Sequence, residues 1–366
     1  MKNKFALSLL LTALFFTCNS DSQDPPINNK GGGANGSGVL DPNSWLIPQS
    51  EVLDGGPGKD GIPALTNPEN LQVDQINYLS DDDLVIGFYH EGEYRAYPHN
   101  ILDWHEIIND ELNGEKVAIT YCPLTGTGIG WSRFIDGSET TFGVSGLLYN
   151  TNLIPYDRLS DSNWCQISLE CVNGSFIGNK IETFHLFETT WKTWREMFPN
   201  STVVSTNTGF IRNYSRYPYG DYRTNDNSLL FPVSPRDERL PAKERVLTVL
   251  EKDRAKVYRF DRFEEGAGII TDQHNNLDII IIGDKDKNYL VAFEDNLNGS
   301  SHTFSIISDG KNGAIFQDET GNQYDLFGNV LAGADIGSSL KPVTSFMAYW
   351  FSVGSFYPSV QILGWN

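Results

Sequence analysis

Two short runs, Leu84-Val85-Ile86-Gly87-Phe88 and Glu93-Tyr94-Arg95-Ala96-Tyr97, carry the pattern that decides the fold. Both are rich in β-branched and aromatic residues, and a glycine-containing turn separates them, which is typical of two strands in a hairpin. The same arrangement returns later as Arg245-Val246-Leu247-Thr248-Val249 and Lys256-Val257-Tyr258-Arg259-Phe260. The chain therefore contains two similar strand pairs, each of which starts a similar segment.

Further blocks follow each strand pair in the same order, and this indicates an internal repeat. We predict two tandem pseudo-repeats, residues 80–212 and residues 243–366, the second of them degenerate. A connector at residues 213–242, rich in Arg, Tyr and Pro, joins them. The matched blocks are residues 278–283 with 117–122, 298–304 with 136–142, 317–319 with 156–158, and 344–350 with 189–194.

Alternating hydrophobicity and turn residues predict several strands in the first repeat. Two helices are expected among them, at residues 100–109 with an apolar face of helical spacing, and at residues 189–198, which stop before Pro199. With 12% aromatic residues and 34 glycines, the pattern predicts an α+β, β-rich fold of mainly antiparallel strands and a few short helices. The predicted strands are residues 84–89, 94–97, 117–121, 128–134 and 140–144.

The beginning of the chain has the pattern of an export signal. Lys2 and Lys4 precede an apolar run at residues 5–16, which is too short to span a bilayer, and Cys18 follows it. We predict a signal peptide at residues 1–17, cleaved before Cys18, and attachment of lipid (palmitate) to that cysteine. The box around Cys18 is imperfect, so a plain secretory peptide is the alternative.

Residues 18–45 are polar and glycine-rich, which predicts a disordered tether, and residues 46–79 form a lead-in to the first repeat. Asp21 and Asp24 near the start of the tether resemble the export tag of surface lipoproteins in the Bacteroidota. The expected location is therefore the outer membrane, on its periplasmic or its cell-surface side.

The formal net charge of −20 and the pI near 4.6 argue against nucleic acid as a partner. The same charge opposes binding to anionic lipid through a basic face. The expected contact with a membrane is thus the lipid anchor alone. A small-molecule or metal ligand remains possible, and the sequence leaves the oligomeric state open.

Candidate chemistry is concentrated in the first repeat, because the second has no cysteine. Cys122 ends a predicted buried strand, and His105 and Glu106 lie on the first predicted helix. Cys122 as nucleophile or redox thiol with His105 as its base would give an enzyme, and the same pair suits copper or zinc, although the sequence requires no cofactor. A metalloprotease is excluded, because Asn109 stands where its second histidine belongs. The alternative is that Cys122 fills the core and that His105 only forms hydrogen bonds.

Several blocks resemble the bacterial family of unknown function numbered 3179. Many members of that family have a Cys-x-x-Cys pair, whereas this chain has Thr125 at the second cysteine. A dithiol mechanism at this position is thereby excluded, and the family implies no established activity. The matching blocks are Asp60-Gly61-Ile62-Pro63-Ala64, residues 96–98 and 101–110, Tyr121-Cys122-Pro123-Leu124-Thr125-Gly126-Thr127, and residues 142–150, 156–158, 164–166 and 190–191.

A polar and aromatic set in the first repeat predicts a ligand pocket. Two of its members have a structural alternative, since Asp157 and Arg158 could form an ion pair at a turn. Cys165 and Cys171 could form a local disulfide in an oxidising compartment, at a position where relatives mostly have serine for Cys165. The expected ligand-binding residues are Tyr121, Thr125, Asn150, Tyr156, Asp157, Arg158, Trp164 and Gln166.

Two hypotheses of function follow from the sequence. The favoured one is an exported lipoprotein that binds a small ligand or a soft metal in its first repeat. The alternative is a thiol-dependent enzyme or redox protein that uses Cys122 with His105 and Glu106.

Overall fold

The two runs that open the first repeat form an antiparallel hairpin in the computed structural model, in which Gly87 pairs with Ala96. The structure describes residues 40–308, residue 310 and residues 313–365. The predicted signal peptide, Cys18 and most of the predicted tether lie outside the described residues. In the first half the strands are β1 (Leu53–Asp54), β2 (Leu65–Thr66), β3 (Asn70–Gln72), β4 (Leu84–His90), β5 (Glu93–Pro98), β6 (Ile107–Leu112), β7 (Glu115–Cys122), β8 (Thr127–Ser132), β9 (Phe134–Ile135), β10 (Ser138–Glu139), β11 (Phe142–Tyr149), β12 (Asn152–Asp157), β13 (Asn163–Cys165), β14 (Glu170–Asn173), β15 (Thr183–Phe184), β16 (Phe187–Thr190) and β17 (Thr202–Val204).

The second half continues with short strands. Three α-helices accompany the strands in the described part of the chain: α1 (His99–His105), α2 (Trp191–Met197) and α3 (Trp350–Phe356). The prediction of a β-rich fold with a few short helices is confirmed. The strands of the second half are β18 (Arg245–Glu251), β19 (Arg254–Arg259), β20 (Gly268–His274), β21 (Leu277–Asp284), β22 (Tyr289–Glu294), β23 (Phe304–Ile306), β24 (Phe316–Asp318), β25 (Gln323–Tyr324), β26 (Val330–Ala332), β27 (Ser345–Tyr349) and β28 (Gln361–Ile362).

Two sheets, one from each half, share strand order and direction. The first has the order β16-β4-β5-β17-β3 and the second the order β27-β18-β19-β28. In each, two antiparallel pairs are followed by one parallel pair. Along the chain, α2 connects β16 to β17 of the first sheet, and α3 connects β27 to β28 of the second. This correspondence is what a duplicated unit would produce, and the duplication itself stays a prediction.

Each of the remaining sheets is built from strands of one half only. The first half has β1-β11-β12-β13-β14 and β15-β8-β7-β6-β2, with the small pair β10-β9. The second half has β20-β21-β22 and β23-β24-β25-β26. Almost all neighbouring strands are antiparallel, with β2 beside β6 a parallel exception. The β15-β8-β7-β6-β2 sheet carries Cys122 at the end of β7.

The first helix is shorter than predicted. It ends at His105, and Glu106 follows with a φ of 57° before β6 begins at Ile107. Ile107 and Ile108, expected on the helix, pair with Thr120 and Ile119 of β7 and are fully buried. Sheet pairing overrides the helical spacing here, because apolar residues in a short run fit either structure.

The second helix approaches its sheet closely because Gly87 has no side chain. A Cβ added at Gly87 would lie 1.9 Å from a ring carbon of Trp194 on α2. The side chain of Thr190 accepts a hydrogen bond from the backbone nitrogen of Thr193 and caps the helix. The predicted helix at 189–198 therefore exists, although its first two residues belong to β16.

The largest core cluster contains residues of both halves. Trp131 and Trp164 of the first half lie in the same buried cluster as Val246 and Trp350 of the second. Leu40–Asn366 accordingly form one compact unit. None of the helices in the described part of the chain is long and apolar enough to cross a bilayer.

Candidate functional site

Cys122 lies in the protein core at the end of β7. Its side chain is buried, and its Sγ donates to the carbonyl of Thr151 at 3.7 Å. Burial, and after it the charge of Glu106, raises the pKa of the Cys122 thiol to about 11. The thiol is therefore protonated at neutral pH, and a protonated thiol is a poor nucleophile and a poor metal ligand.

The two ring nitrogens of His105 lie against partners other than Cys122. Its Nδ1 lies 2.7 Å from the carbonyl oxygen of Pro63, and its Nε2 lies 2.7 Å from the hydroxyl of Tyr214. Both ring nitrogens are thus engaged elsewhere, so the expected pairing of thiol and base, or of two metal ligands, is not formed. No group of three or more His, Cys, Asp or Glu side chains that could hold a metal ion occurs among the described residues.

Cys165 and Cys171 are free thiols, so the expected disulfide is absent from the structure. The register explains why: Trp164 pairs with Cys171, and Cys165 pairs with Glu170. Because neighbouring residues of a strand point to opposite faces, the two thiols lie on opposite sides of the sheet. They pack accordingly into two different core clusters.

Two of the predicted ligand-binding residues belong to a buried hydrogen-bond network. The amide of Asn152 donates to Thr125 Oγ1 at 3.0 Å and to Gln166 Oε1 at 2.7 Å. The amide of Gln166 in turn donates to Thr120 Oγ1 at 2.9 Å. Within the core these polar groups satisfy one another's hydrogen bonds.

The other predicted binders are dispersed. Trp164 donates to Asp157 Oδ2 at 2.9 Å, in the core. Arg158 donates to Asp60 Oδ1 at 2.8 Å, and Tyr156 donates to the second oxygen of the same carboxylate at 2.5 Å. Asn150 accepts from the backbone of Ser234 at 2.9 Å. Among the described residues, Asp157 and Arg158 form no ion pair with each other.

A different set of polar side chains does come together, and we call it the polar centre. Glu188 of β16 is its buried anion, since Arg245 of β18 donates to Glu188 Oε1 and His99 Nε2 lies 3.2 Å from Oε2. Burial alone would raise the pKa of Glu188, but Arg245 and His99 outweigh it and lower that pKa to about 2. An ion pair between the halves therefore fixes one side of the centre. The polar centre consists of His99, Asp103, Tyr121, Glu188 and Arg245.

Asp103 is the other acid of the polar centre and lies one helical turn after His99 on α1. Its Oδ2 accepts from Arg223 at 2.9 Å, whereas Oδ1 is buried without a hydrogen-bond partner. Burial raises the pKa of Asp103 to about 6, against the opposing charge of Arg223. The ring of Tyr121 lies beside His99, with ring centroids 4.3 Å apart. Of the eight predicted binders, Tyr121 alone belongs to the centre.

The connector lies over the polar centre, and we call its residues Tyr217, Tyr219, Tyr222 and Arg223 the roof. Tyr222 donates to the carbonyl of Leu124 at 2.9 Å, and Tyr217 donates to the carbonyl of Pro123 at 3.3 Å. The guanidinium of Arg223 lies 3.6 Å from the centroid of the Tyr217 ring. The roof is thereby attached to the turn that follows Cys122.

Lys243 holds the connector in this position. Its buried Nζ donates to three backbone carbonyls of the connector, those of Tyr222, Asn225 and Ser228, the last two at 2.7 Å. The same ammonium lies 3.4 Å from the centroid of the Tyr222 ring. Hydrogen bonds from a charged donor are stronger than those between neutral groups, so this lysine fixes the shape of the roof.

Glu106 adjoins both the roof and the thiol. Burial raises its pKa to about 8, and a hydrogen bond from Tyr219 opposes this only in part. Its φ of 57° belongs to the left-handed region, as does the φ of 69° at Thr151, whose carbonyl accepts from Cys122. Such conformations are rare for side chains with a Cβ and concentrate at functional sites. Glu106 is thus a neutral acid held in place next to Cys122.

The second half closes the site from the opposite side. The backbone nitrogen of Tyr349 donates to the carbonyl of Thr125 at 2.7 Å. Gly126 leaves room for the tyrosine, since a Cβ at that position would lie 2.8 Å from the Tyr349 ring. The turn after Cys122 is therefore enclosed by the connector and by Tyr349.

Most residues of this site are not predicted from the sequence. Asp103, Glu188 and Arg245 meet only through the fold, and no spacing in the chain points to them. One feature of the sequence could have indicated the site: the connector, predicted only to join the two repeats, is dense in tyrosine and arginine. The residues that the sequence missed are His99, Asp103, Glu188, Arg245, Tyr349 and the roof.

Comparison with known proteins places this architecture in one family. The sequence profile of the family described as "Protein of unknown function (DUF3179)" matches residues 59–360. The match continues through the connector and the second half, beyond the blocks within residues 59–205 that resemble the family. No curated protein and no solved structure matches the chain significantly. Because the matched region is most of the chain, this protein belongs to the DUF3179 family.

Proposed function

We propose that this chain is an exported, lipid-anchored protein whose folded part binds a small polar ligand at the polar centre. The observation that carries the binding proposal is Asp103. Its side chain is 3% exposed, and one carboxylate oxygen has no hydrogen-bond partner. A buried carboxylate oxygen without a donor is costly, so a ligand that supplies a donor gains that energy on binding.

The chemistry around Asp103 favours a zwitterion. The Arg223 side chain is 39% exposed and uses one of its nitrogens on Asp103, which leaves donors for an anionic group. An ammonium group could donate to Asp103 Oδ1 while a carboxylate accepts from Arg223. Aromatic surface is supplied by Tyr121, whose ring lies beside His99, and by Tyr217, whose ring lies against Arg223. A free α-amino acid carries both charged groups in one small molecule.

The binding test uses free L-amino acids as probes, with monosaccharides as uncharged comparators. A bound amino acid at 100 times its Kd should stabilise the protein by about 2.7 kcal/mol, seen as a rise in Tm and confirmed by calorimetric titration. Asp103→Asn is expected to weaken binding roughly a hundredfold, since it removes the charged acceptor. Binding to the parent protein should also weaken below pH 6, because the pKa of Asp103 is about 6 and its protonated form lacks that charge.

Asp221→Asn is the matched control, because it changes an exposed acid of the same connector. This variant should bind as the parent does. The proposal fails if no amino acid stabilises the parent or if Asp103→Asn binds with unchanged affinity.

The alternative of a thiol-dependent enzyme or redox protein has less support. It needs a reactive Cys122 and a free His105, whereas the thiol has a raised pKa and both imidazole nitrogens are engaged. A soft-metal site has the same weakness. If an enzyme operates here, Glu106 is the better candidate for proton transfer, because its pKa of about 8 lies near neutrality.

The anchoring part of the proposal rests on the start of the sequence. A charged beginning, an apolar run at residues 5–16 and Cys18 have the order that lipoprotein processing requires. Expressed in a Gram-negative host, the parent should incorporate labelled palmitate and sediment with outer membranes. Cys18→Ser should abolish the label, while Cys122→Ser should keep it. Equal labelling of Cys18→Ser and the parent would contradict the lipid anchor.

A further inference from the structure

The loop that leads into the connector has an exposed apolar apex. Phe210 is 42% exposed and Ile211 is 97% exposed, and they are consecutive in the chain. The other large apolar residues that are exposed in the described part of the protein occur singly. Single exposed apolar residues are ordinary on protein surfaces, whereas an adjacent pair at a loop apex indicates contact with another surface.

The apex is also basic within an acidic protein. Arg212 and Arg216 follow the apolar pair, and residues 205–220 contain no Asp or Glu although the chain has 47. Both arginines are exposed, and neither forms an ion pair with a described residue. The guanidinium of Arg212 lies 5.9 Å from the ring of Trp104. Two uncompensated positive charges therefore flank the apolar apex.

The fold holds the apex in place. Trp104 donates to the carbonyl of Arg216 at 3.1 Å, and Asn100 donates to the carbonyl of Tyr214 at 3.2 Å. The ring of His105 lies beside Phe210, with centroids 5.5 Å apart, and its Nε2 meets the Tyr214 hydroxyl. The exposure of Phe210 and Ile211 is thus a feature of a supported loop. His105, expected to be catalytic, has here the role of supporting that loop.

We propose that the apex, defined as Phe210, Ile211, Arg212 and Arg216, docks on an anionic phospholipid surface. Apolar side chains at a loop tip enter the boundary between headgroups and acyl chains, and adjacent arginines bind the phosphates. Charge complementarity favours an anionic occupant, because Arg212 and Arg216 are exposed and have no ion-pair partner among the described residues. The apolar pair beside them favours a surface that also has an apolar interior, which a phospholipid layer provides. A second copy of this acidic chain is the other outcome that the test distinguishes. The proximity of a membrane rests on the proposed anchoring at Cys18. The docking itself is independent of ligand binding at Asp103.

The test separates docking from the lipid anchor. The mature chain from position 18, carrying Cys18→Ser so that no lipid is attached, is sedimented with vesicles of phosphatidylethanolamine that contain about one quarter phosphatidylglycerol. We expect it to sediment with these vesicles and to be released by salt, and to bind pure phosphatidylcholine vesicles much more weakly. Ile211→Asp should reduce the partition coefficient at least tenfold, because it removes the apolar group and adds a negative charge.

Ile336→Asp is the matched control, because Ile336 is 66% exposed at a site without neighbouring arginines. This variant should bind vesicles as the parent does, and Arg212→Gln with Arg216→Gln should weaken binding and reduce its salt dependence. The proposal is overturned if the parent ignores phosphatidylglycerol vesicles or if both aspartate variants behave alike. It is equally overturned if Ile211→Asp abolishes a dimer seen by ultracentrifugation while vesicle binding persists. Docking on vesicles with no amino-acid binding would leave this inference standing and remove the ligand proposal.

Discussion

Replacing Glu188 by glutamine is expected to lower the free energy of unfolding by about 3 kcal/mol at pH 7. Glu188 is 6% exposed and is the anion that Arg245 and His99 share. Glutamine keeps the shape but removes the charge, so the half-buried Arg245 loses its counterion. Chemical denaturation followed by tryptophan fluorescence measures the change.

The pH dependence of this variant provides a second test. The folded-state pKa of Glu188 is about 2, below its ordinary value of 4.5, so its contribution is fully present above pH 4.5 and is lost as pH falls towards 2. The difference between parent and Glu188→Gln should therefore shrink on acidification.

An exposed ion pair supplies the control for this experiment. Asp81 pairs with Arg195 at 2.8 Å, and both side chains are more than a third exposed. Asp81→Asn should cost well under about 1 kcal/mol, since solvent screens such pairs. A Glu188→Gln variant as stable as Asp81→Asn would show that the buried pair contributes nothing to the joining of the halves.

Replacing Glu106 by glutamine is expected to act in the opposite direction and to stabilise the protein at pH 8, by about 4 kcal/mol. The folded-state pKa of Glu106 is about 8, raised by burial from 4.5. Between these two values the unfolded chain releases the proton and the folded chain keeps it, so stability falls as pH rises. Because glutamine does not ionise, the Glu106→Gln variant does not lose this stability as pH rises.

The gain should therefore be small near pH 4 and should grow up to pH 8. The free energy of unfolding, taken from denaturation curves across this range, measures it. Glu265→Gln, which changes an exposed acid, should leave the free energy of unfolding within about 0.5 kcal/mol of that of the parent. A Glu106→Gln variant that is less stable than the parent at every pH would contradict the neutral acid. If the variant is more stable but has lost ligand binding, Glu106 is retained for function at the expense of stability.

Local pattern predicted much of the fold. The hairpin of β4 and β5 was readable because both of its strands and the turn lie within 15 consecutive residues. The predicted repeat rests on the same kind of local pattern, but the strand pairing sets Ala96 opposite Gly87 and Val257 opposite Thr248. That register displaces the second block of the sequence match by two residues.

The features that the sequence did not predict depend on contacts between residues far apart in the chain. Ile107 and Ile108 fit a helix by spacing, but β7 supplies partners that make them a strand. The polar centre could not be predicted for a related reason, since 120 positions separate Asp103 from Arg223 and 57 separate Glu188 from Arg245. The sequence indicates residues unique to the first predicted repeat as candidates for chemistry, and two of them, Gln166 and Trp164, form hydrogen bonds in the core.

Lys243 has a consequence for the environment in which this protein can work. Many exported proteins shape their loops with calcium, which backbone carbonyls and carboxylates coordinate and which chelators remove. Here the ammonium group of the Lys243 side chain occupies the same kind of position among the carbonyls of Tyr222, Asn225 and Ser228. The roof over the polar centre therefore keeps its shape in surroundings stripped of divalent ions, and chelation should leave it intact.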